Sequence, residues 1–320
     1  MPGGLSEWVA CAGMLEVMIA RHREDCMSSS ATPMGTRRAT RLETSPLSEA
    51  LGIAVHGLDL SRPIERDVAL TIRALLYEHC VLLVPGQHLD EATQVRFGEY
   101  FGELGHTLGD YGLNNRTHPA VMYVTNEKEN GRYVGALPDG EMFFHSDRCY
   151  MPQPTLATML YAIDIPSRGG NTIFANQYTA WDTLPDAIRQ RIEGREAMNT
   201  YDPGIHADNT APVSQTTPSE KALRAAHPLV KMHPATGRKA IYANRLMTEY
   251  IVGMPRSESD ELLATLFDHQ ERAEFCYEHR WTPGDALIWD NRCVLHARTN
   301  FDPGEARKLR RVVVNVEREL

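Results

Sequence analysis

Short apolar segments bounded by turn-forming residues recur along the chain from Leu47 onward, and they limit the folds open to it. Cys80–Val84, for example, is an apolar run stopped by Pro85-Gly86, which is the pattern of a buried strand. Similar segments lie at 53–55, 121–124, 155–163 and 172–175, and two more strands are expected between Asp285 and Val316. Many short strands of this kind predict a mainly β architecture.

Amphipathic helices are predicted between these strands, at 67–79, 90–101, 180–184, 185–194 and 257–270. Asp90 is expected to cap the second helix, and Ser257 with Asp260 has the spacing of a capping box at the start of the last one. The polar stretch 199–219 has no clear periodicity and is predicted to be a long loop. Residues 233–238 are predicted to form a hairpin turn.

Together these elements favour a mixed α/β fold that is mainly β, with a double-stranded β-helix (jelly-roll) core and flanking helices. The sequence contains neither Gly-x-Gly-x-x-Gly after a strand nor Gly-x-x-x-x-Gly-Lys-Ser/Thr, so a nucleotide-binding fold is not supported. An internal repeat of fixed period is also absent. Residues 1–43 are predicted to be a disordered tail and residues 44–320 a single domain.

The charge balance argues against two classes of partner. With 33 basic and 42 acidic residues the formal net charge is -9, which disfavours nucleic acid and anionic membrane surfaces. Apolar runs fall short of the ~20 residues that span a bilayer, and the N-terminus lacks the pattern of a secretory signal. The 6 cysteines form no Cys-x-x-Cys pair and suit a reducing compartment. We therefore expect a cytoplasmic protein that binds a small molecule.

The tripeptide His145-Ser146-Asp147 and the distant His296 are candidate metal ligands. Two imidazoles and one carboxylate form the facial triad that holds non-haem Fe(II) and leaves coordination positions open. A structural metal would more often be closed off by four protein ligands. A lone His-x-Asp also occurs by chance as a surface or structural pair. The apolar strand that ends in Trp289-Asp290-Asn291-Arg292 shortly before His296 favours the metal site.

An arginine-rich strand follows His296. In 307–315, period-two alternation places Arg307 and Arg311 on one face and Lys308 and Arg310 on the other. The alternative is a solvated basic strand at the edge of a sheet. The apolar run 312–314 indicates that the strand is buried, and two guanidinium groups would then enter one cavity.

From Leu47 to Glu317 these features resemble the taurine dioxygenase (TauD/TfdA-like) family of Fe(II)- and 2-oxoglutarate-dependent oxygenases. The resemblance implies that His145, Asp147 and His296 bind the iron. It also implies that Thr172, in Gly169-Gly170-Asn171-Thr172, and Arg307 bind 2-oxoglutarate, and that Arg311 meets the anion of the substrate. An arginine suits the distal carboxylate because its planar fork stays charged and binds in two places.

The family's activity is then expected: O2-dependent hydroxylation of a small anionic substrate, either a sulfonate, a carboxylate or an amino-acid-like compound, with 2-oxoglutarate converted to succinate and CO2. The presence of Asp147 argues against the halogenating enzymes of this type, which lack this carboxylate. Desaturation and oxidative decarboxylation stay open, as does assembly into a homo-oligomer (dimer or tetramer). A metal-dependent hydrolase could use the same three ligands without Thr172 and Arg307. A non-catalytic β-sandwich binding protein is the third alternative.

Two further residues are predicted to contact the substrate. Glu141 stands where the taurine enzymes have an uncharged polar residue, which suggests that the substrate carries an amine as well as an anion, because a buried carboxylate needs a cation. Alternatively, Glu141 pairs with Arg148 or faces solvent. His106 lies one position out of register with the family's substrate-contacting histidine.

Overall fold

A computed structural model describes residues 42–106, 118–137, 140–202 and 211–318 of the protein. These residues lie in the compact unit Leu42–Leu320. The predicted tail, 1–43, falls outside the described residues except for its last two positions, and Glu43 begins the first strand. The tail therefore stays a prediction.

The described part of the chain is mainly β. Its strands, in chain order, are β1 Glu43–Pro46, β2 Ile53–His56, β3 Val81–Val84, β4 Glu103–Leu104, β5 Met122–Thr125, β6 Lys128–Glu129, β7 Arg132–Tyr133, β8 Met142–His145, β9 Ala157–Asp164, β10 Thr172–Asn176, β11 Glu196–Tyr201, β12 Leu223–Pro228, β13 Val230–Met232, β14 Lys239–Ile241, β15 Thr248–Ile251, β16 Cys276–His279, β17 Ala286–Asp290, β18 Val294–Arg298 and β19 Lys308–Val316.

Helices flank the strands, close to their predicted positions. They are α1 Arg66–His79, α2 Glu91–Glu99, α3 Gln177–Asp182, α4 Asp186–Ile192 and α5 Arg256–Gln270, with short 3-10 helices at Val213–Gln215 and Ala273–Phe275. Asp90 caps α2 as predicted, since its side chain accepts a hydrogen bond from Thr93 N at 2.7 Å. Within the described ranges, none of the helices is both long and apolar enough to cross a membrane.

Two sheets carry the site. The larger has eight strands in the order β1-β2-β3-β17-β9-β19-β4, with β5 also paired to β19. The second sheet has the order β16-β10-β18-β8. Among the described strands, pairing is antiparallel except between β2 and β3, and an isolated parallel bridge joins Val124 of β5 to Ala136. Smaller sheets join β12-β11-β15, β13-β14 and β6-β7. Strand β19 is paired on both sides, with β5 and with β9. The alternative of a solvated basic strand at the edge of a sheet is therefore wrong.

The core explains the continuous apolar runs in the sequence. One buried cluster joins Leu160 and Leu309 of the large sheet to Phe174 and Val294 of the second sheet. Another packs the opposite face of the large sheet against α1 and α2. A strand covered on both faces must be apolar at successive positions, which accounts for the fully buried run of β3.

Two local predictions were wrong. Helix α5 begins at Arg256 and has no side-chain cap, so Ser257 lies inside the first turn, while Asp260 pairs with Arg256 at 2.8 Å. A residue with helical backbone cannot serve as the N-cap. The predicted loop 199–219 begins instead with the end of β11, where buried Asn199 accepts a hydrogen bond from Thr248 at 2.8 Å. The polar residues of this stretch suggested a loop. The hydrogen-bond partner that allows Asn199 to be buried is distant in sequence, so the local pattern does not reveal it.

Candidate metal centre and its pocket

Strand pairing brings the three predicted metal ligands together. His145 ends β8, Asp147 follows two residues later, and His296 is the middle residue of β18. In the β8–β18 pair His296 lies opposite His145, and the centroids of the two imidazole rings are 4.1 Å apart. All three residues are buried, and their candidate ligand atoms lie within 4.8 Å of one another. They form the only such cluster among the residues that the structure describes.

The donor set fits a divalent metal with open positions. The Nδ1–H of His145 donates to the Phe143 carbonyl at 2.9 Å, which leaves Nε2 as the free ligand nitrogen. His296 Nδ1 is buried with no hydrogen-bond partner in the described structure, and its Nε2 lies 3.9 Å from Asp147 Oδ1. Burial lowers the pKa of both histidines, which favours the neutral imidazole that binds metal.

Asp147 is fixed by charge and by hydrogen bonds. Its Oδ1 lies 2.7 Å from Nη2 of Arg311, and its Oδ2 accepts a hydrogen bond from the Thr158 hydroxyl. Burial acts to raise the pKa of Asp147, but Arg311 and the two histidines outweigh it, so that the net pKa is lowered. The carboxylate is therefore ionised, as a metal ligand must be.

Asn291 supports this carboxylate from the turn between β17 and β18. Its Oδ1 accepts hydrogen bonds from Asp147 N at 3.3 Å and from Trp289 Nε1 at 3.0 Å. Its Nδ2 donates to the Thr158 hydroxyl at 3.0 Å. The side chain thus links the metal-ligand segment to β17 and β9.

The predicted cosubstrate residues, Thr172 and Arg307, line the same pocket as the triad. Thr172 begins β10, and Arg307 immediately precedes β19. Arg307 is buried, and its Nε donates to the Gly170 carbonyl at 3.0 Å. Burial, and then the charge of Arg298, lower the pKa of Arg307 to about 9. A dry guanidinium with a second cation beside it is a strong attractor for a carboxylate.

Arg298 was missed by the sequence analysis. It lies two residues after His296 on β18, so period-two alternation places it on the same face, and that spacing could have predicted it. Arg298 is buried in the pocket wall and donates to the Leu137 and Gly140 carbonyls at 2.7 and 3.0 Å. Its guanidinium and that of Arg307 lie 5.8 and 5.6 Å from the ring centroid of Phe301. The pocket therefore has a doubly cationic end.

The pocket holds about 470 Å³ of space outside the protein atoms, counting its opening. Arg307 and Arg311 both line it, as the alternation along β19 predicted. Arg310 points the other way, toward α2, where it donates to Gln94 and to the Leu89 carbonyl at 2.6 Å each. The apolar part of the wall consists of Val124, Leu137, Met142, Leu160, Trp289 and Ala297.

Glu141 and His106 are exposed and are not among the residues that line this pocket. The stretches that adjoin them, 107–117 and 138–139, lie outside the described residues. The structure thus brings the triad, Thr172, Arg307 and Arg311 together, and it does not bring Glu141 or His106 to them. Substrate contact by these two residues stays a prediction.

This fold and site define a class of enzyme in which two histidines and one carboxylate would hold a metal beside a cationic recess. Comparison with known proteins identifies the family. The family model for "Taurine catabolism dioxygenase TauD, TfdA family" matches residues 43–313. The chain therefore belongs to the TauD/TfdA family, as its sequence motifs predicted, and it is an oxidoreductase of the 2-oxoglutarate-dependent dioxygenase class.

Individual relatives are similar to this chain along most of their length. The chain is 33% identical to pentalenolactone F synthase of Streptomyces avermitilis, over 82% of this chain and 90% of that protein. It is 30% identical to (S)-phenoxypropionate/alpha-ketoglutarate-dioxygenase of Sphingobium herbicidovorans, over 83% and 92%. The crystal structure of a taurine dioxygenase from Burkholderia xenovorans superposes with a TM-score of 0.70 at 27% identity, over 85% and 90%. These comparisons give no support to the hydrolase alternative.

Proposed function

We propose that the protein uses Fe(II), 2-oxoglutarate and O2 to hydroxylate a small organic anion that also has an apolar portion. One observation carries the proposal: a buried His145–Asp147–His296 cluster shares a pocket with Thr172 and Arg307. A hydrolase would need the metal ligands but not that cosubstrate pair.

The ligand set favours iron, since two histidines and one carboxylate with open positions are typical of non-haem Fe(II) oxygenases. When bound, Fe(II) would supply the oxidising chemistry, in which 2-oxoglutarate is converted to succinate and CO2 while the substrate is hydroxylated. The protein's part is to orient both organic molecules at the metal and to exclude water. Metal analysis after anaerobic purification, with iron, manganese and zinc offered together, tests the choice of metal.

The cationic end of the pocket suits a dicarboxylate. The oxo group and the adjacent carboxylate of 2-oxoglutarate would face the metal ligands, and the distal carboxylate would meet the fork of Arg307 and the hydroxyl of Thr172. Arg298 adds a second positive charge beside Arg307. The recess therefore favours a ligand with a second carboxylate over a simple 2-oxo acid.

Arg311 is the group we assign to the substrate's anion. It enters the pocket from β19 beside Asp147, so an anion bound there would lie next to the metal. The apolar wall residues would hold the remainder of the substrate. A relative whose name specifies (S)-phenoxypropionate is consistent with such an acid. We retain Glu141 and His106 as candidate substrate contacts. If Glu141→Gln has the same selectivity between amino acids and simple acids as the wild type, Glu141 does not contact the substrate.

The remaining features of the proposal concern the whole protein. The two facing sheets and the family match support a double-stranded β-helix core. The composition supports a cytoplasmic location, and the family resemblance is the basis for proposing a homo-oligomer, either a dimer or a tetramer. Sedimentation of the purified protein tests the oligomeric state.

Turnover provides the direct test of the activity. With Fe(II) and air, the protein should form succinate from 2-oxoglutarate, and a screen of sulfonates, sulfate esters, aryloxy acids and amino acids should find compounds that stimulate oxygen consumption. If succinate does not form and one of these compounds is hydrolysed instead, the hydrolase alternative is correct.

Arg307→Lys tests the cosubstrate site. A lysine cannot form the two-point contact of a guanidinium, so we expect 2-oxoglutarate to bind the Mn(II)-loaded protein about tenfold to a hundredfold more weakly in calorimetry. Arg310→Lys, on the opposite face of β19, is the matched control and should bind 2-oxoglutarate like the wild type. Equal affinities for all three proteins would refute this role of Arg307.

A further inference from the structure

Trp281 contacts Thr172 from outside the metal pocket. Both residues are buried, and the indole Nε1–H of Trp281 donates to Thr172 Oγ1 at 3.0 Å. Thr172 lines the metal pocket, whereas Trp281 is not among the residues that line it. Trp281 also packs in the core cluster that contains the pocket residues Val124, Leu160 and Trp289, but Thr172 is the pocket residue to which its indole N–H is hydrogen-bonded.

This contact determines the direction of the threonine's hydrogen bond. An indole N–H can only donate, so Thr172 Oγ1 must accept from Trp281. A hydroxyl has a single hydrogen, which is then left to donate to another acceptor. Because Oγ1 belongs to a residue in the pocket wall, that hydrogen is available to an anion bound beside Arg307.

The ring of Trp281 is itself held by neighbouring side chains. His279 packs edge-on against it, with the ring centroids 4.6 Å apart and an interplanar angle of 88°. His279 Nε2 donates to Asp285 Oδ2 at 3.1 Å, and its Nδ1 lies 2.9 Å from the Tyr277 hydroxyl. His279 is also the β-sheet partner of Thr172 in the pairing of β10 with β16. The pairing of β10 with β16 therefore fixes the Thr172 hydroxyl relative to the indole N–H of Trp281, which lies two residues after His279.

We propose that Trp281 is a positioning residue that sets the Thr172 hydroxyl as a hydrogen-bond donor to the distal carboxylate of 2-oxoglutarate. This rests on the proposed function, which places that carboxylate between Thr172 and Arg307. Without the indole N–H, the hydroxyl can rotate and donate elsewhere, and its alignment toward the carboxylate has to be established when the cosubstrate binds.

The test compares two 2-oxo acids in calorimetry with the Mn(II)-loaded protein, which binds without turnover. Both 2-oxoglutarate and 2-oxobutanoate carry the oxo group and adjacent carboxylate that face the metal, but 2-oxobutanoate lacks the distal carboxylate. We expect Trp281→Phe to weaken 2-oxoglutarate binding about threefold to tenfold, which is the net value of an ordinary hydrogen bond, because the bond to the carboxylate is misaligned and not removed. Binding of 2-oxobutanoate should be unchanged. A general distortion of the pocket would weaken both ligands.

A double-mutant cycle with Thr172→Val isolates the pathway. If Trp281 acts through the hydroxyl, Trp281→Phe should have no further effect on 2-oxoglutarate affinity in the Thr172→Val background. Trp181→Phe, another buried tryptophan that packs in a different core cluster, is the matched control for loss of an indole. It should leave both affinities unchanged.

Three results separate the possible failures. If the wild type does not bind 2-oxoglutarate, the proposed function fails. If the wild type binds it and Trp281→Phe binds it equally well, or if the two substitutions are additive, the positioning role is refuted. If Trp281→Phe does not fold, replacing Trp281 with its benzothienyl analogue keeps the ring shape and removes only the N–H donor, and the same shifts are expected.

Discussion

Gly170 lies where the guanidinium of Arg307 needs space. Its backbone has φ +65°, a conformation that side chains with a Cβ rarely adopt, and an added Cβ would lie 2.8 Å from Arg307 Nε. The Gly170 carbonyl also accepts the hydrogen bond from that nitrogen. The close approach of an arginine from the far end of the chain therefore explains Gly170, while an added Cβ at Gly169 would instead meet the backbone carbonyl of Asn300.

Gly170→Ala should consequently impair the cosubstrate site as well as the backbone. We expect it to weaken 2-oxoglutarate binding about tenfold, because Arg307 must move, and to cost about 1–2 kcal/mol of stability through the left-handed conformation. Calorimetry and urea unfolding measure the two effects. Gly194→Ala is the control, since Gly194 has φ +76° and no atom within 4 Å of the added Cβ. It should lose stability and keep its affinity, and a Gly170→Ala protein with normal affinity would contradict this account.

At the scale of elements, the site depends on how β8, β10 and β18 pair. His296 faces His145 across one edge of β18, while its partner across the other edge is Phe174 in β10. The same β10–β18 register sets Thr172 opposite Arg298. One strand thus places a metal ligand and a cationic residue two positions apart, and the turn before it supplies Asn291.

The turn between β17 and β18 provides the prediction at this scale. Asn291→Ala removes the acceptor for Asp147 N and the donor to Thr158, so Asp147 loses its alignment. Loss of such outer support typically weakens metal binding about tenfold to a hundredfold. Competition with a chelator for Mn(II) measures the affinity. Asn300→Ala, in the loop after β18, should bind Mn(II) normally, and normal binding by Asn291→Ala would show that Asp147 is held by other contacts.

Across the whole molecule, a buried network around Asp290 ties distant segments together. Asp290 is paired with Arg292 at 2.6 Å and accepts from His233 of the β13–β14 hairpin at 3.0 Å. Arg292 reaches Glu317 near the C-terminus at 3.2 Å, and Glu317 accepts from the Tyr77 hydroxyl of α1 at 2.7 Å. Burial acts to raise the pKa of Asp290, but Arg292 and His233 outweigh it and lower that pKa.

Asp290→Asn should destabilise the protein by about 2–4 kcal/mol, because the buried Arg292 loses its closest carboxylate and keeps only the more exposed Glu317 as an ion-pair partner. The folded pKa of Asp290 is below its ordinary value of 3.8, so the stability it contributes is fully present above that pH and is lost as the pH falls below it. In urea unfolding, the gap between wild type and variant should therefore be largest near neutral pH and shrink below about pH 4. A gap that is independent of pH would show that ionisation of Asp290 is not its source.

Residue types and local spacing were enough to predict the triad as metal ligands, the shared face of Arg307 and Arg311, and most helices and strands, whereas Thr172 was predicted from the family resemblance. These predictions depend on periods of two and 3.6 residues and on motifs that occupy short stretches of chain. The errors arose where a distant partner decides the outcome. Ser257 had the right spacing for a capping box but lies inside the helix, and the polar residue Asn199 lies in a buried strand because Thr248 satisfies it.

The sequence by itself determined which side chains could bind a metal and a dicarboxylate, because ligand chemistry is a property of residue type. The spacing from His296 places Arg298 on the pocket face, but only the tertiary structure decided that its charge lies beside that of Arg307. The tertiary structure also decided that Trp281 meets Thr172, and that Glu141 and His106 are exposed and not in the pocket wall. The reason is that strand register and sheet packing are fixed by the summed burial of many apolar residues, which short patterns along the chain do not specify.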